Sequence, residues 1–211
     1  LSLHDALPIS GAHKERHFYS RFFDTEFTNG HIEDYHRWFP RPPGMVCGEW
    51  TPQYMHQPWA IPLLAKAAPQ AKLLVLVRDP LERYQSGLTH YLARHHEVDD
   101  RQAVDAVARG FYGRQLDHVH RFFHPDQVLV LQYEQCRTDP VAAAQRTFAF
   151  LGLDATPAPA RLDAQVNATR ATKIPVPAHQ RANLIDLYRP DVERLAELVP
   201  DLDLDLWPNF A

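Results

Sequence analysis

The chain has 211 residues, 45% of them hydrophobic and 23% charged, enough for one domain with a real core, with or without a small appendage. Its formal net charge of -4 gives no global attraction for nucleic acid or an anionic membrane, although a local basic pocket remains compatible with it. Two cysteines, Cys47 and Cys136, make neither a disulfide framework nor a metal-ligand spacing, and no apolar run approaches the ~20 residues that a spanning helix needs.

In chain order, residues 1–10 (LSLHDALPIS) fit no helical or strand period and read as a non-native leader, leaving 11–211 as the domain. HKERHFYSRFFD follows, a charged turn with Phe18, Phe22 and Phe23 supplying core. Residues 24–44 read as loop, with Asn29-Gly30 as a turn signal and Pro40, Pro42, Pro43 and Gly44 as breakers. Tyr35, Trp38 and Phe39 are expected to pack beneath it. Pro58–Ala68 reads as a short helix with Ile61, Leu64 and Ala65 on one face.

The apolar run Leu73–Val77 predicts a strand buried on both faces. Asp79 suits an N-cap, Pro80 the first helical position and Glu82 a capping box, so a helix starts there. A strand followed by a helix N-terminus makes an anion site from free backbone N–H groups and the helix dipole. Arg78 stands at the strand's carboxyl end and Ser86 one to two turns into the helix. On this turn alone, an Arg78 paired to a carboxylate is at least as good a reading as phosphate binding. His90, His95, His96 and Glu97 lack the i, i+4 pairing of a helical zinc motif and read as a polar linker, so no metal is expected.

Arg101–Arg109 is expected as a helix stopped by Gly110, then a second helix with Leu116, Val119, Phe122 and Phe123 as its stripe. Val128–Gln132 is the second strand. After it Asp139 caps a helix that Pro140 opens and Gly152 closes, with Val141, Ala144, Phe148 and Leu151 inward. Pro157–Pro177 is a proline-interrupted loop carrying Arg170 and Lys173. Pro190 is expected to open the last helix, and Trp207 to pack inside.

Several of these segments resemble those of sulfotransferases that use 3′-phosphoadenosine 5′-phosphosulfate (PAPS), of the carbohydrate-modifying type. The spacing Arg78, Asp79, Pro80, Arg83, Ser86 resembles the family's 3′-phosphate segment, and implies that Arg78 and Ser86 hold that phosphate. Lys14, Glu15, His17 and Phe18 resemble K-E-x-H-F-F, which implies Glu15 as catalytic base with Lys14 and His17 beside the acceptor. The chemistry requires such a group, because an acceptor hydroxyl attacks poorly until its proton is taken. Gly48 to Tyr54 resembles G-E-K-T-P-x-Y with Trp50 in place of the lysine, so an aromatic face for a sugar or an adenine stands where the family has a charge. Packing of that indole is an equally good reading. By the same resemblance Tyr112 lies near the nucleotide, and a basic loop bearing Arg170 or Lys173 folds over it.

The resemblance implies an α/β fold, a three-layer sandwich with a central parallel sheet flanked by helices, P-loop-like but without its first strand–loop–helix. The Gly-rich loop that cradles the 5′-phosphosulfate has no counterpart here, since only Gly11 precedes Glu15. The function implied is sulfuryl transfer from PAPS to the hydroxyl or amine of a carbohydrate or small molecule, without metal, in the cytoplasm, any targeting segment lying upstream. The chain by itself is expected to be a fragment with little or no activity. The rival readings are a non-catalytic nucleotide- or glycan-binding protein, and a nucleotide-dependent kinase, which the lack of a Walker A loop disfavours.

Overall fold

The computed structural model describes residues 15–39, 46–95, 97–154 and 172–211, so Lys14, Arg170 and the leader lie outside the described residues. The chain forms two compact units. One comprises Leu1–Leu73, His118–Leu129 and Pro140–Ala164, the other Leu74–Asp117, Val130–Asp139 and Gln165–Ala211.

Most of the sheet belongs to the second unit. Strands β1 (Leu73–Val77) and β2 (Val128–Gln132) pair in parallel, and helices flank them. A parallel pair needs a long crossover, supplied here by α3 (Pro80–His95), α4 (Asp100–Ala108) and α5 (Tyr112–Val119). Both strands fall where the apolar runs predict. β1 is not buried on both faces, however: Val75 and Val77 are buried while Leu76 is 46% exposed. Successive side chains of a strand point to opposite faces, and the described residues fully cover only the face that carries the two valines.

The core of this unit gathers Val77, Leu81, Leu116, Tyr188, Leu195 and Trp207, all essentially without solvent contact. The last helix, α8 (Ala178–Leu198), corrects a sequence expectation, because Pro190 lies inside it rather than at its start. Proline there removes one i to i−4 hydrogen bond. The buried stripe Leu184, Tyr188, Val192 and Leu195 runs past the proline on both sides and keeps the helix continuous. A short helix after β2, α6 (Tyr133–Thr138), occupies what reads in the sequence as a turn.

In the first unit, the turn signal Asn29-Gly30 is instead the first turn of α1 (Asn29–Arg37). Thr28 caps it, and the His31 ring accepts from the Thr28 amide at 3.1 Å, a reciprocal box that overrides the turn preference of the Asn-Gly pair. Helix α2 (Ala60–Ala67) buries Ala60, Ile61, Leu64 and Ala67, with Ala65 only half-buried. Helix α7 (Pro140–Leu151) turns Ala143, Ala144, Thr147 and Phe148 inward, so the expected Val141 is 44% exposed and Leu151 half-buried. The inward set follows the 3.6-residue period from Ala144 and Phe148 through alanine and threonine, which an apolar count passes over. The α5 stripe ends with the helix at Val119, leaving Phe122 42% exposed and Phe123 buried. Gly152, at φ 73°, takes the left-handed conformation that closes α7.

Within the second unit α5 and α8 approach closely. The Gly113 and Arg114 amides donate to the Asp191 carboxylate at 2.8 Å each, capping α5 from α8. A Cβ on Gly113 would overlap the Asp191 carbonyl oxygen and lie 3.1 Å from the Leu195 nitrogen. Gly113→Ala is therefore expected to lower unfolding stability by about 1–3 kcal/mol through overpacking, measured as a drop in the denaturant midpoint. An unchanged midpoint would contradict this close approach.

Candidate functional site

The turn from β1 into α3 is held by Asp79, which is 1% exposed. Its Oδ1 accepts from the Leu81 amide at 2.9 Å and the Glu82 amide at 3.1 Å. The N-cap is as the sequence predicts, but the capping box is not observed, because the Glu82 side chain turns outward to cations. The expected supply of free N–H groups is also corrected. The Asp79 amide donates to Glu134 at 3.2 Å, Pro80 has no N–H, and the next two amides are taken by Asp79. An aspartate cap is itself an anion at the helix N-terminus, so it uses up the donors that an external anion would have met.

The positive charge comes from side chains instead. Arg78 lies 3.7 Å from Glu82 and 4.9 Å from the centre of the Tyr133 ring. Arg78 is thus paired to a carboxylate, as the plainer reading of the turn foresaw, but the same carboxylate has a second partner. Lys173 Nζ donates to Glu82 Oε2 at 2.8 Å. Burial pushes the Glu82 carboxyl up, and the Lys173 hydrogen bond with the charges of Lys173, Arg78 and Arg181 outweighs it, leaving its pKa below the ordinary glutamate value. Three cations thus gather about one carboxylate.

Lys173 is positioned by its neighbour. The Ile174 amide donates to Thr89 Oγ1 at 3.1 Å and its carbonyl accepts from Gln85 Nε2 at 2.7 Å, so residues 173–174 lie along α3. Ser86, half-buried, follows Glu82 by one turn on the same face of that helix. Tyr112 is 7% exposed and bonds to the Arg78 backbone. Burial raises its phenol to about 12, against the pull of the Arg83 charge and that bond. It meets Arg78 through its hydroxyl.

Glu15 and His17 belong to the first unit. His17 Nε2 lies 3.4 Å from Glu15 Oε2, both partly exposed, and His17 adopts φ 51°, a left-handed conformation rare for a residue with a Cβ. Trp50 is 37% exposed, and Trp38, 41% exposed, carries the Arg16 guanidinium 3.7 Å above its ring. The same unit holds a carboxyl, that of Glu49, to which the sequence alone assigns no role. Burial pushes Glu49 up, opposed by hydrogen bonds from Tyr54, Tyr35 and Thr51 and by the Arg16 charge. Among the described residues no group of three His, Cys, Asp or Glu side chains is placed to hold a metal ion, and no helix is long and apolar enough to cross a membrane.

Glu82 was missed as the partner of Arg78, and Arg181 as a further charge acting on Glu82. The i, i+4 spacing of Arg78 and Glu82 is a legible signal, whereas nothing local connects Arg181 to them. The Glu82 cluster has a definite pH signature. A lowered folded-state pKa means that the stability it contributes is complete above pH 4.5, the ordinary value, and is lost as pH falls through the lower folded value. Below pH 4.5 the fall of stability with pH is expected to be shallower in Glu82→Gln than in the wild type; parallel curves would contradict the pairing. Removing the cap and its buried partners with Asp79→Ala should cost roughly 2–4 kcal/mol in chemical unfolding, and a loss below ~0.5 kcal/mol would show that the turn does not depend on it.

The sequence profile of the Sulfotransferase family matches residues 8–157. Among curated proteins, heparan sulfate glucosamine 3-O-sulfotransferase 3B1 of Homo sapiens is 28% identical over 147 residues, covering 63% of this chain and 37% of the relative. Heparan sulfate glucosamine 3-O-sulfotransferase 6 of Mus musculus is 30% identical over 167 residues, covering 72% of this chain and 47% of the relative. The chain spans under half the length of these relatives. A sulfotransferase structure from Alicyclobacillus acidocaldarius has a TM-score of 0.75 at 24% identity, covering 98% of this chain and 90% of that one, a likeness of fold. With the family match extending over most of the chain, the protein belongs to the Sulfotransferase family.

Proposed function

We propose that the protein to which this chain belongs transfers a sulfuryl group from PAPS to a hydroxyl or amine of a carbohydrate. The observation that carries the reading is the gathering of Arg78, Lys173 and Arg181 about Glu82 at the carboxyl end of β1. Ligands of open α/β sheets bind at that end of the strands. Arg78 and Lys173 share the one carboxylate of Glu82, so each keeps N–H donors that suit a phosphate monoester. Sulfotransferases generally draw on PAPS, whose 3′-phosphate is such a group.

In this reading Arg78 and Ser86 hold the 3′-phosphate, joined by Arg170 or Lys173, while Tyr112 steadies Arg78 through its backbone. A guanidinium gives two parallel donors to phosphate oxygens. PAPS supplies the activated sulfuryl group. Glu15 takes the proton of the acceptor as the acceptor atom bonds to sulfur and the bond from sulfur to the bridging phosphate oxygen breaks, so 3′-phosphoadenosine 5′-phosphate departs. Lys14 and His17 flank the base, and the exposed face of Trp50 offers a stacking surface to a sugar ring. The relatives named for heparan sulfate glucosamine support a carbohydrate acceptor.

Binding of 3′-phosphoadenosine 5′-phosphate, followed by titration calorimetry, tests the donor half of this reading. Loss of a charge-assisted hydrogen-bond pair costs about 1.5–3 kcal/mol, so Arg78→Ala should raise Kd roughly ten- to a hundredfold, with a smaller rise for Ser86→Ala. Equal affinity in wild type and Arg78→Ala would overturn the assignment.

A further inference from the structure

We infer that Glu49 is a positioning residue for the Glu15–His17 pair, acting through the hydroxyls of Thr51 and Tyr54. Two backbone amides hold the chain at the pair, one directly after Glu15 and one two residues past His17. The Arg16 amide donates to Thr51 Oγ1 at 3.2 Å, and the Tyr19 amide donates to the Tyr54 hydroxyl at 3.3 Å. Each hydroxyl directs its own O–H to the same carboxylate: Thr51 Oγ1 donates to Glu49 Oε2 at 3.4 Å, and Tyr54 also hydrogen-bonds to Glu49. Tyr35 supplies a third donor, to Oε1 at 3.2 Å.

The polarity of this relay is what gives Glu49 its role. A hydroxyl has one proton, and it can accept from a backbone N–H with its donor direction fixed only if an acceptor lies on its other side. A half-buried carboxylate accepts from all three hydroxyls at once, and in doing so aims the lone pairs of Thr51 and Tyr54 at the Arg16 and Tyr19 amides. Between those two anchored amides sits His17, held at φ 51°. A residue with a Cβ keeps that conformation when its surroundings over-determine it. The Ser20 amide closes the turn on the His17 carbonyl at 3.2 Å. Glu15 is partly exposed and its side chain has no deep packing to aim it, so its direction comes from the backbone that Thr51 and Tyr54 hold.

This inference rests on the reading of Glu15 as the base, and amide hydrogen exchange tests it without turnover. In Glu49→Gln the carboxamide offers one acceptor and two donors, so the relay loses its direction. Exchange at Arg16 and Tyr19 is expected to speed up at least tenfold, with the amides of α2 unchanged as an internal reference. Thr51→Val should do the same at Arg16 alone, and Thr51→Ser, which keeps the hydroxyl, should restore protection. Unchanged exchange at both amides in Glu49→Gln would overturn the inference. Faster exchange spread through α2, not rescued by Thr51→Ser, would overturn it too, since that reports general loosening of the packing. Sulfuryl transfer by the whole protein to which the chain belongs, if it survives Glu15→Gln there, would remove the base assignment and leave the exchange result standing, so the two readings fail separately.

Discussion

The carboxylate of Asp79 is the constraint on which the second unit depends. One oxygen closes the first turn of α3, and the other accepts from the Asn209 side chain at 2.8 Å. Its own amide is held by Glu134, which also takes the Trp207 indole N–H at 2.9 Å. A single buried acid thus joins the end of β1, the start of α3, α6 and the last residues of the chain. Breaking such a group leaves several buried donors without partners, which costs more than the sum of ordinary hydrogen bonds.

That constraint limits what kind of anion site the unit can offer. With the helix amides satisfied from within, the dipole of α3 is answered by Asp79, and in the proposed reading recognition passes to side-chain cations on separate stretches of chain. Glu82 keeps Arg78 and Lys173 together, and Ile174 fastens the Lys173 stretch along α3 by both its N–H and its carbonyl. A site of this kind is tuned by charge, so pH and salt act on it more strongly than on a cradle of backbone amides.

How far the sequence could be read depends on the range of the interaction behind each feature. β1, β2, the Asp79 cap and the closing Gly152 follow from apolar runs and local turn chemistry, and they stand where the residues place them. Pro190 and Asn29-Gly30 mislead because local preference was outvoted, in one case by a buried stripe continuing past the proline and in the other by the Thr28–His31 box. At the site, Arg78 and Ser86 could be found from spacing, and Lys173 only through family resemblance. Arg181, Glu134 and Asn209 lie far along the chain from Arg78 and carry no local signal. Glu49 was visible as part of a motif, but its use as the hub of three hydroxyls appears only when Tyr35 and Tyr54 are brought around it.

In the proposed reading this chain recognises a 3′-phosphate with side chains at the end of β1. Comparing the affinity of the unmodified chain for 3′-phosphoadenosine 5′-phosphate and for adenosine 5′-monophosphate, two ligands that differ only in that phosphate, tests it most directly. The account predicts at least tenfold tighter binding of the first, about 1.4 kcal/mol, with the advantage shrinking as salt rises. Equal affinities for the two nucleotides would contradict it.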